Sequence, residues 1–196
     1  NWLLKIKGLN IEVITSKKIL LLKENFKNNI NYTNYHNLIK TIKKKDGSID
    51  KKKTKKIFTK WVIDKKKWIK YMRKRFPNPD YIISDSVPQA FELAKELNVK
   101  SLNISHFTWN WFYKKHYLQN KKRDRVFDEL NKSYDLADYF LILPLTPKEI
   151  VNNYKFKSKN INFIISDFKN NRKKNYIMIC VIMDNGTKTL SKLIEK

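Results

Sequence analysis

Asp80-Tyr81-Ile82-Ile83-Ser84-Asp85-Ser86-Val87-Pro88, followed at helical spacing by Ala90, Phe91, Ala94 and Leu97 and then by Ser101-Leu102-Asn103-Ile104-Ser105-His106, reads as strand, helix, strand. Tyr81-Ile82-Ile83 is entered after Pro77 and Pro79 and stopped by Ser84-Asp85-Ser86. A short apolar run with such polar bounds suits a strand buried on both faces of a parallel sheet. Pro88 fits the first turn of a helix, where its missing N–H has no helical partner to lose, and Ser86 is the expected N-cap. The apolar positions that follow share one helix face. After Asn98 the chain returns to an extended run, so the unit is βαβ with a right-handed crossover. Ligands of open α/β sheets bind beyond the carboxyl ends of the strands. Those ends carry Ser84, Asp85 and Ser86 after the first strand, and Ser105, His106, Phe107 and Thr108 after the second. The candidate site is expected there.

The 196 residues suffice for one large domain, or for one domain and part of a second. Hydrophobic residues at 41% and aromatic residues at 13% supply a core, which excludes wholesale disorder. The chain opens on Asn1 and closes on what reads as the first strand and helix of another unit, so a fragment of a longer protein is expected. A net charge of +25 invites nucleic acid or an anionic membrane as partner. Against that, only 3 glycines accompany abundant Lys, Asn, Ile, Tyr and Phe, the skew of an AT-rich coding sequence. The lysines read as scattered rather than gathered on one element, and the charge is assigned to coding bias and solvated surface. Nucleic acid is therefore not the expected partner, while peripheral contact with an anionic membrane stays compatible. The single cysteine, Cys180, sits in an apolar run over 177–183, which excludes a disulfide or cysteine-metal framework within the chain and fits a reducing compartment. No apolar run reaches the length of a membrane span and no signal-peptide pattern is seen, so a cytoplasmic location is expected.

Upstream of the central unit, Trp2, Leu3, Ile6 and Leu9 read as the end of a helix broken near Gly8, and Ile11-Glu12-Val13-Ile14-Thr15 as a strand. Ser16 caps a helix through Ile19, Leu20 and Leu22, an order that puts the first strand of the sheet before residue 1. Residues 28–56 carry little pattern beyond the turn signal Asp46-Gly47. Ile57, Trp61, Trp68, Ile69, Met72 and Phe76 then recur on one face of a long helix over 54–76, with Trp61 and Trp68 as core anchors and the intervening lysines on the other face. Downstream, 109–118 opens a helix or a covering loop, and Val126, Phe127, Leu130, Tyr134 and Ala137 mark a further helix. Tyr139-Phe140-Leu141-Ile142-Leu143 is a strand ended by Pro144, and Thr146-Pro147-Lys148-Glu149 starts another helix. The first domain is thus expected over 1–168, a basic linker over 169–174, and the start of a second unit over 175–196.

With these elements in order, the chain resembles the amino-terminal half of a GT-B glycosyltransferase. It is especially similar to bacterial proteins related to UDP-glycosyltransferases and to the glycosyltransferase-like region of arabinokinase-type proteins. The resemblance is carried by Pro79-Asp80-Tyr81-Ile82-Ile83-Ser84-Asp85-Ser86 with Pro88, Ala94 and Leu97, and by Ile104-Ser105-His106-Phe107-Thr108-Trp109-Asn110-Trp111-Phe112-Tyr113. Asp50 with Thr54, the Tyr134, Ala137 and Asp138 segment, and Leu143-Pro144 fit in order. It implies two Rossmann-like domains facing across a cleft. The amino-terminal one, a parallel sheet with helices on both faces, receives the acceptor; the carboxy-terminal one holds the nucleotide sugar. It also implies sugar transfer from a nucleotide sugar to an acceptor hydroxyl with inversion, with no cofactor beyond the donor substrate and no metal. In plant-type members a His in the first loop is the general base, and an Asp at a later strand end orients it. Asp85 matches that Asp, and the matching His would precede residue 1. His106 stands where relatives carry Asn, which favours acceptor contact or structural hydrogen bonding. Gly186 and Thr187 resemble the loop that approaches the donor diphosphate, where amides at a helix N-terminus attract phosphate.

The residues by themselves leave Asp85 two roles: orienting an imidazole and stabilising its cation, or capping the helix near Val87. Ser84, Ser86, His106 and Thr108 accompany it as candidate substrate contacts. Trp109, Trp111 and Tyr113 either stack on a sugar or lipid-like acceptor or pack on the core. His36 and His116, in Lys-rich surroundings, read as surface residues. The leading expectation is a sugar-transfer enzyme, the second a non-catalytic sugar- or nucleotide-binding domain, and the third a basic protein of nucleic acid or membrane surfaces.

Overall fold

A computed structural model describes residues 10–15, 30–34, 38–118 and 124–162. The expected linker, the second unit with Cys180, Gly186 and Thr187, His36 and the helix after Ser16 lie outside these residues. β1 (Ile11–Thr15) and β2 (Ile30–Asn34) pair in parallel, Ile11 opposite Ile30. After α1 (Lys51–Arg75), β3 (Tyr81–Ser84), β4 (Lys100–Ser105), β5 (Tyr139–Ile142) and β6 (Ser158–Asn160) form a four-stranded parallel sheet in chain order. α2 (Gln89–Leu97) links β3 to β4, α3 (Trp109–Tyr117) and α4 (Arg125–Asp135) link β4 to β5, and α5 (Lys148–Asn153) precedes β6. The protein is α/β, with a parallel sheet flanked by helices, compatible with a Rossmann-like fold.

Register explains which residues are buried. Ile82 lies opposite Ser101, Ser84 opposite Asn103, Asn103 opposite Phe140 and Ser105 opposite Ile142, so these share a face. That face is the one the helices cover. Phe91, Tyr134, Phe140 and Tyr154 meet on it, Phe140 stacking on Tyr154 at 4.0 Å between ring centres. On the opposite face Tyr81 is 71% exposed, Ile83 and Tyr139 are exposed, and Leu102, Ile104 and Leu141 are half-buried. The expectation that Tyr81-Ile82-Ile83 is buried on both faces thus differs from the structure. Among the described residues, the helices partly bury Ile82 and leave the alternate positions of this strand open.

α1 begins at Lys51, three residues before its apolar pattern, because Asp50 caps it by accepting from Lys53 N at 2.9 Å, an arrangement worth about 1 kcal/mol. Thr54 is buried, and its Oγ1 accepts from Ile42 N at 2.9 Å. Residues 38–50, which offer little pattern, close around the Asp46-Gly47 turn: Gly47 has φ 84° and Ser48 N donates to Asp46 Oδ1 at 2.9 Å. The second half of α1 lays Trp68, Ile69 and Met72 on Ala90 and Leu93 of α2, and Phe58 and Trp61 join the aromatic cluster. Lys65 departs from the expectation that the lysines of this helix face solvent. It is only 4% exposed, and its Nζ lies 2.5 Å from Glu92 of α2 and 2.6 Å from Glu129 of α4. Ser133 donates to the same Glu92 carboxylate. The three helices are thereby pinned by a single ammonium.

Candidate functional site

The carboxyl ends of β3, β4 and β5 form one rim because the three strands are parallel and adjacent. Beneath its surface the polar residues bind each other. Ser84 Oγ accepts from Val87 N at 2.9 Å and donates to Val87 O at 3.0 Å. Ser84, not Ser86 or Asp85, therefore holds the amide ahead of α2. Ser86 is a correction to the sequence reading: it is buried with φ 58°, outside the extended region that an N-cap adopts, and its Oγ donates to Phe107 O at 3.1 Å. Ser105 Oγ donates to the same carbonyl at 2.8 Å and accepts from Asn103 Nδ2 at 2.9 Å. Tyr134 ties the loops together, its OH accepting from Trp109 N at 3.1 Å and donating to Ser86 O at 3.4 Å. Burial pushes that phenol far above its ordinary range, so it remains a neutral donor.

Two chemistry-bearing side chains stand on top of this network. Asp85 follows β3 and is exposed, with Ser86 Oγ 3.4 Å from its Oδ1. His106 follows β4, also exposed, with Nδ1 3.1 Å from Pro144 O after β5. A carbonyl only accepts, so this contact requires the proton on Nδ1 and leaves Nε2 as the basic nitrogen of the neutral ring. Backbone strain marks the same rim. Ser86 and Leu145, at φ 58° and 68°, are non-glycine residues in left-handed conformation in the loops after β3 and β5, and Leu145 is 88% exposed. Such conformations cost about 1–3 kcal/mol and gather at functional sites. Asn98, the third among the described residues, closes α2 as its left-handed C-cap.

The remaining candidates are distributed unevenly. Thr108, at the N-cap of α3, is 1% exposed and its Oγ1 has no hydrogen-bond partner among the described residues, nor has Asn103 Oδ1. Trp109 is buried against Phe58 and Phe107, and Tyr113 is fully buried with its OH donating to Asp124. Both are occupied in the core, which leaves Trp111, half-buried under Lys115 Nζ at 5.1 Å, as the accessible ring of the three. His116 is not a plain surface residue: it is half-buried against Phe112 at 4.4 Å, and burial, then Lys51 and Lys115, hold its imidazole below the ordinary range. Among the described residues no group of three or more His, Cys, Asp or Glu side chains is placed to hold a metal, and no helix is long and apolar enough to cross a membrane.

Two open depressions, of about 470 and 310 Å3, lie elsewhere, on the outer face of α1. The larger is lined by four lysines with Thr59 and Ile63, and the smaller reaches from α1 to Arg125 and Val126 of α4; the one carboxylate in either lining is Asp124, which caps α4. The rim is the better candidate for chemistry, because Asp85 and His106 are exposed there on loops fixed by hydrogen bonds. No protein family, curated protein or solved structure matches this chain.

Proposed function

We propose that the chain is the acceptor side of a glycosyltransferase of the GT-B type, part of a longer protein that moves a sugar from a nucleotide donor to an acceptor hydroxyl. One observation carries the reading: Asp85 and His106 leave adjacent parallel strands at a shared rim, exposed above a polar network that fixes both loops. In this reading Asp85 orients an imidazole supplied by another segment of the parent protein and stabilises its cation. That imidazole takes the acceptor's proton. The acceptor oxygen then bonds to the anomeric carbon as the bond to the nucleotide diphosphate breaks, and the diphosphate leaves with the electron pair. His106, with Nε2 basic, accepts a hydrogen bond from an acceptor hydroxyl and sets its position.

The test is release of nucleotide diphosphate by the parent protein from a panel of nucleotide sugars. Asp85→Asn is expected to lower the rate about 100-fold or more, the scale of acid–base assistance, while the KM for donor changes by less than about twofold. An unchanged rate would return Asp85 to a structural role. Donor binding without turnover in the parent would favour a non-catalytic binding domain. Residues 1–196 alone are expected to release no diphosphate.

A further inference from the structure

The outer face of α1 is a surface that the sugar-transfer reading does not use. Thirteen of its 25 residues are Lys or Arg and one, Asp64, is acidic. α1 thus concentrates 13 of the chain's 43 basic residues on one helix, although the others are spread along the chain. Along its first half, Lys52, Lys55, Lys56, Lys60, Thr59 and Ile63 line the larger depression. The smaller one shares Lys55, Thr59 and Ile63 and extends to Val62, Arg125 and Val126. Ile63, which lines both, is 66% exposed. On this half Asp50 lies 3.7 Å from Lys53 and Asp64 3.3 Å from Lys60. Among the described residues no carboxylate reaches Lys52, Lys55 or Lys56. Asp124, the acid in the smaller lining, accepts from Tyr113 OH and from the first amides of α4.

Packing locates this face. Trp61 Nε1 donates to Gln89 Oε1 at the start of α2, Phe58 packs on Trp109 and Tyr113, and Tyr117 OH donates to Lys51 O. The basic half of α1 therefore lies toward the rim end of the sheet.

We propose that this face docks on an anionic lipid surface, with Lys52, Lys55, Lys56 and Lys60 among the headgroup phosphates and Ile63 in the interfacial layer. An exposed aliphatic side chain ringed by lysines fits that environment, since lysine stems lie along apolar surface while the ammonium groups stay in the polar layer. Binding to single-stranded nucleic acid draws on exposed aromatic rings and on Arg forks. α1 before Asp64 has no Arg, and its Phe58 and Trp61 are buried. The inference is independent of sugar transfer, and its test contains no sugar.

The whole chain is co-sedimented, at physiological ionic strength, with vesicles of phosphatidylcholine alone or mixed with phosphatidylglycerol. Binding is expected to the mixed vesicles only. Each lysine near an anionic surface strengthens binding about fivefold, so Lys52→Gln, Lys55→Gln, Lys56→Gln and Lys60→Gln together are expected to weaken it about 600-fold. Lys95→Gln, Lys148→Gln, Lys155→Gln and Lys159→Gln remove equal charge from exposed sites elsewhere and are expected to weaken it less than about threefold, because only charges near the surface act. Ile63→Ser, with no change in charge, is expected to weaken it about fivefold. Equal losses for the two quadruple variants, no vesicle binding, or tighter binding to nucleic acid that Ile63→Ser leaves untouched would each overturn the proposal.

Discussion

The clamp around Lys65 and the rim around Asp85 are built from the same kinds of side chain, yet access to solvent gives them opposite characters. Lys65 is buried, and two carboxylates and a serine satisfy one another across three helices. At the rim the hidden hydroxyls of Ser84, Ser86 and Ser105 are satisfied by backbone carbonyls and amides, while Asp85 and His106 stand outside, held by their loops. A charge that closes a network confers order on the fold; a charge displayed at its edge contributes little to that order.

The contrast is tested most severely at Lys65. Lys65→Met leaves Glu92 and Glu129 without their cation and is expected to destabilise the protein by about 3 kcal/mol, read as a lower urea midpoint at unchanged slope. The pH dependence has a definite sign. The hydrogen bond from Lys65 holds the Glu129 carboxyl below its ordinary value. Its contribution is complete above the ordinary carboxylate range and is lost as pH falls through the lowered value. Urea midpoints taken through acid should therefore fall in the native chain, and Lys65→Met should flatten that part of the profile. An intermediate effect belongs to Tyr134→Phe, which deprives Trp109 N–H of its acceptor and Ser86 O of its donor. A loss of about 1–2 kcal/mol is expected from the same denaturation curves. The smallest effect belongs to the displayed pair: Asp85→Asn and His106→Ala are each expected to change stability by less than about 1 kcal/mol. A loss as large as that of Lys65→Met would erase the distinction and make the rim another structural network.

Much of the sheet was legible because β3, β4 and β5 come from short extended runs bounded by polar residues or proline, and α1, α2 and α4 from apolar residues at helical spacing. β2 and β6 were missed for a common reason. Ile30-Asn31-Tyr32-Thr33-Asn34 carries two asparagines, and Ser158-Lys159-Asn160 is wholly polar, so neither shows an apolar strand pattern. The polar clusters at the rim were visible, but the division of labour within them was not. Whether Ser84 or Ser86 engages the helix depends on a left-handed residue that no side-chain pattern announces. Lys65 did leave a signal. It stands four residues after Trp61, three before Trp68 and seven before Met72, on the apolar stripe of α1, and a lysine there calls for a buried partner.

The order of the four-stranded sheet has a kinetic consequence. Every strand from β3 to β6 takes as its neighbour the one that follows it in the chain, so the sheet can grow outward by successive addition, each step closing only one connecting loop. Tyr81 and Lys100, Leu102 and Tyr139, and Phe140 and Ser158 are register partners 19, 37 and 18 residues apart, and closure entropy changes by only about 0.6 kcal/mol for each doubling of such a loop. α1, which precedes them all, is already available as a template when β3 and α2 emerge during synthesis.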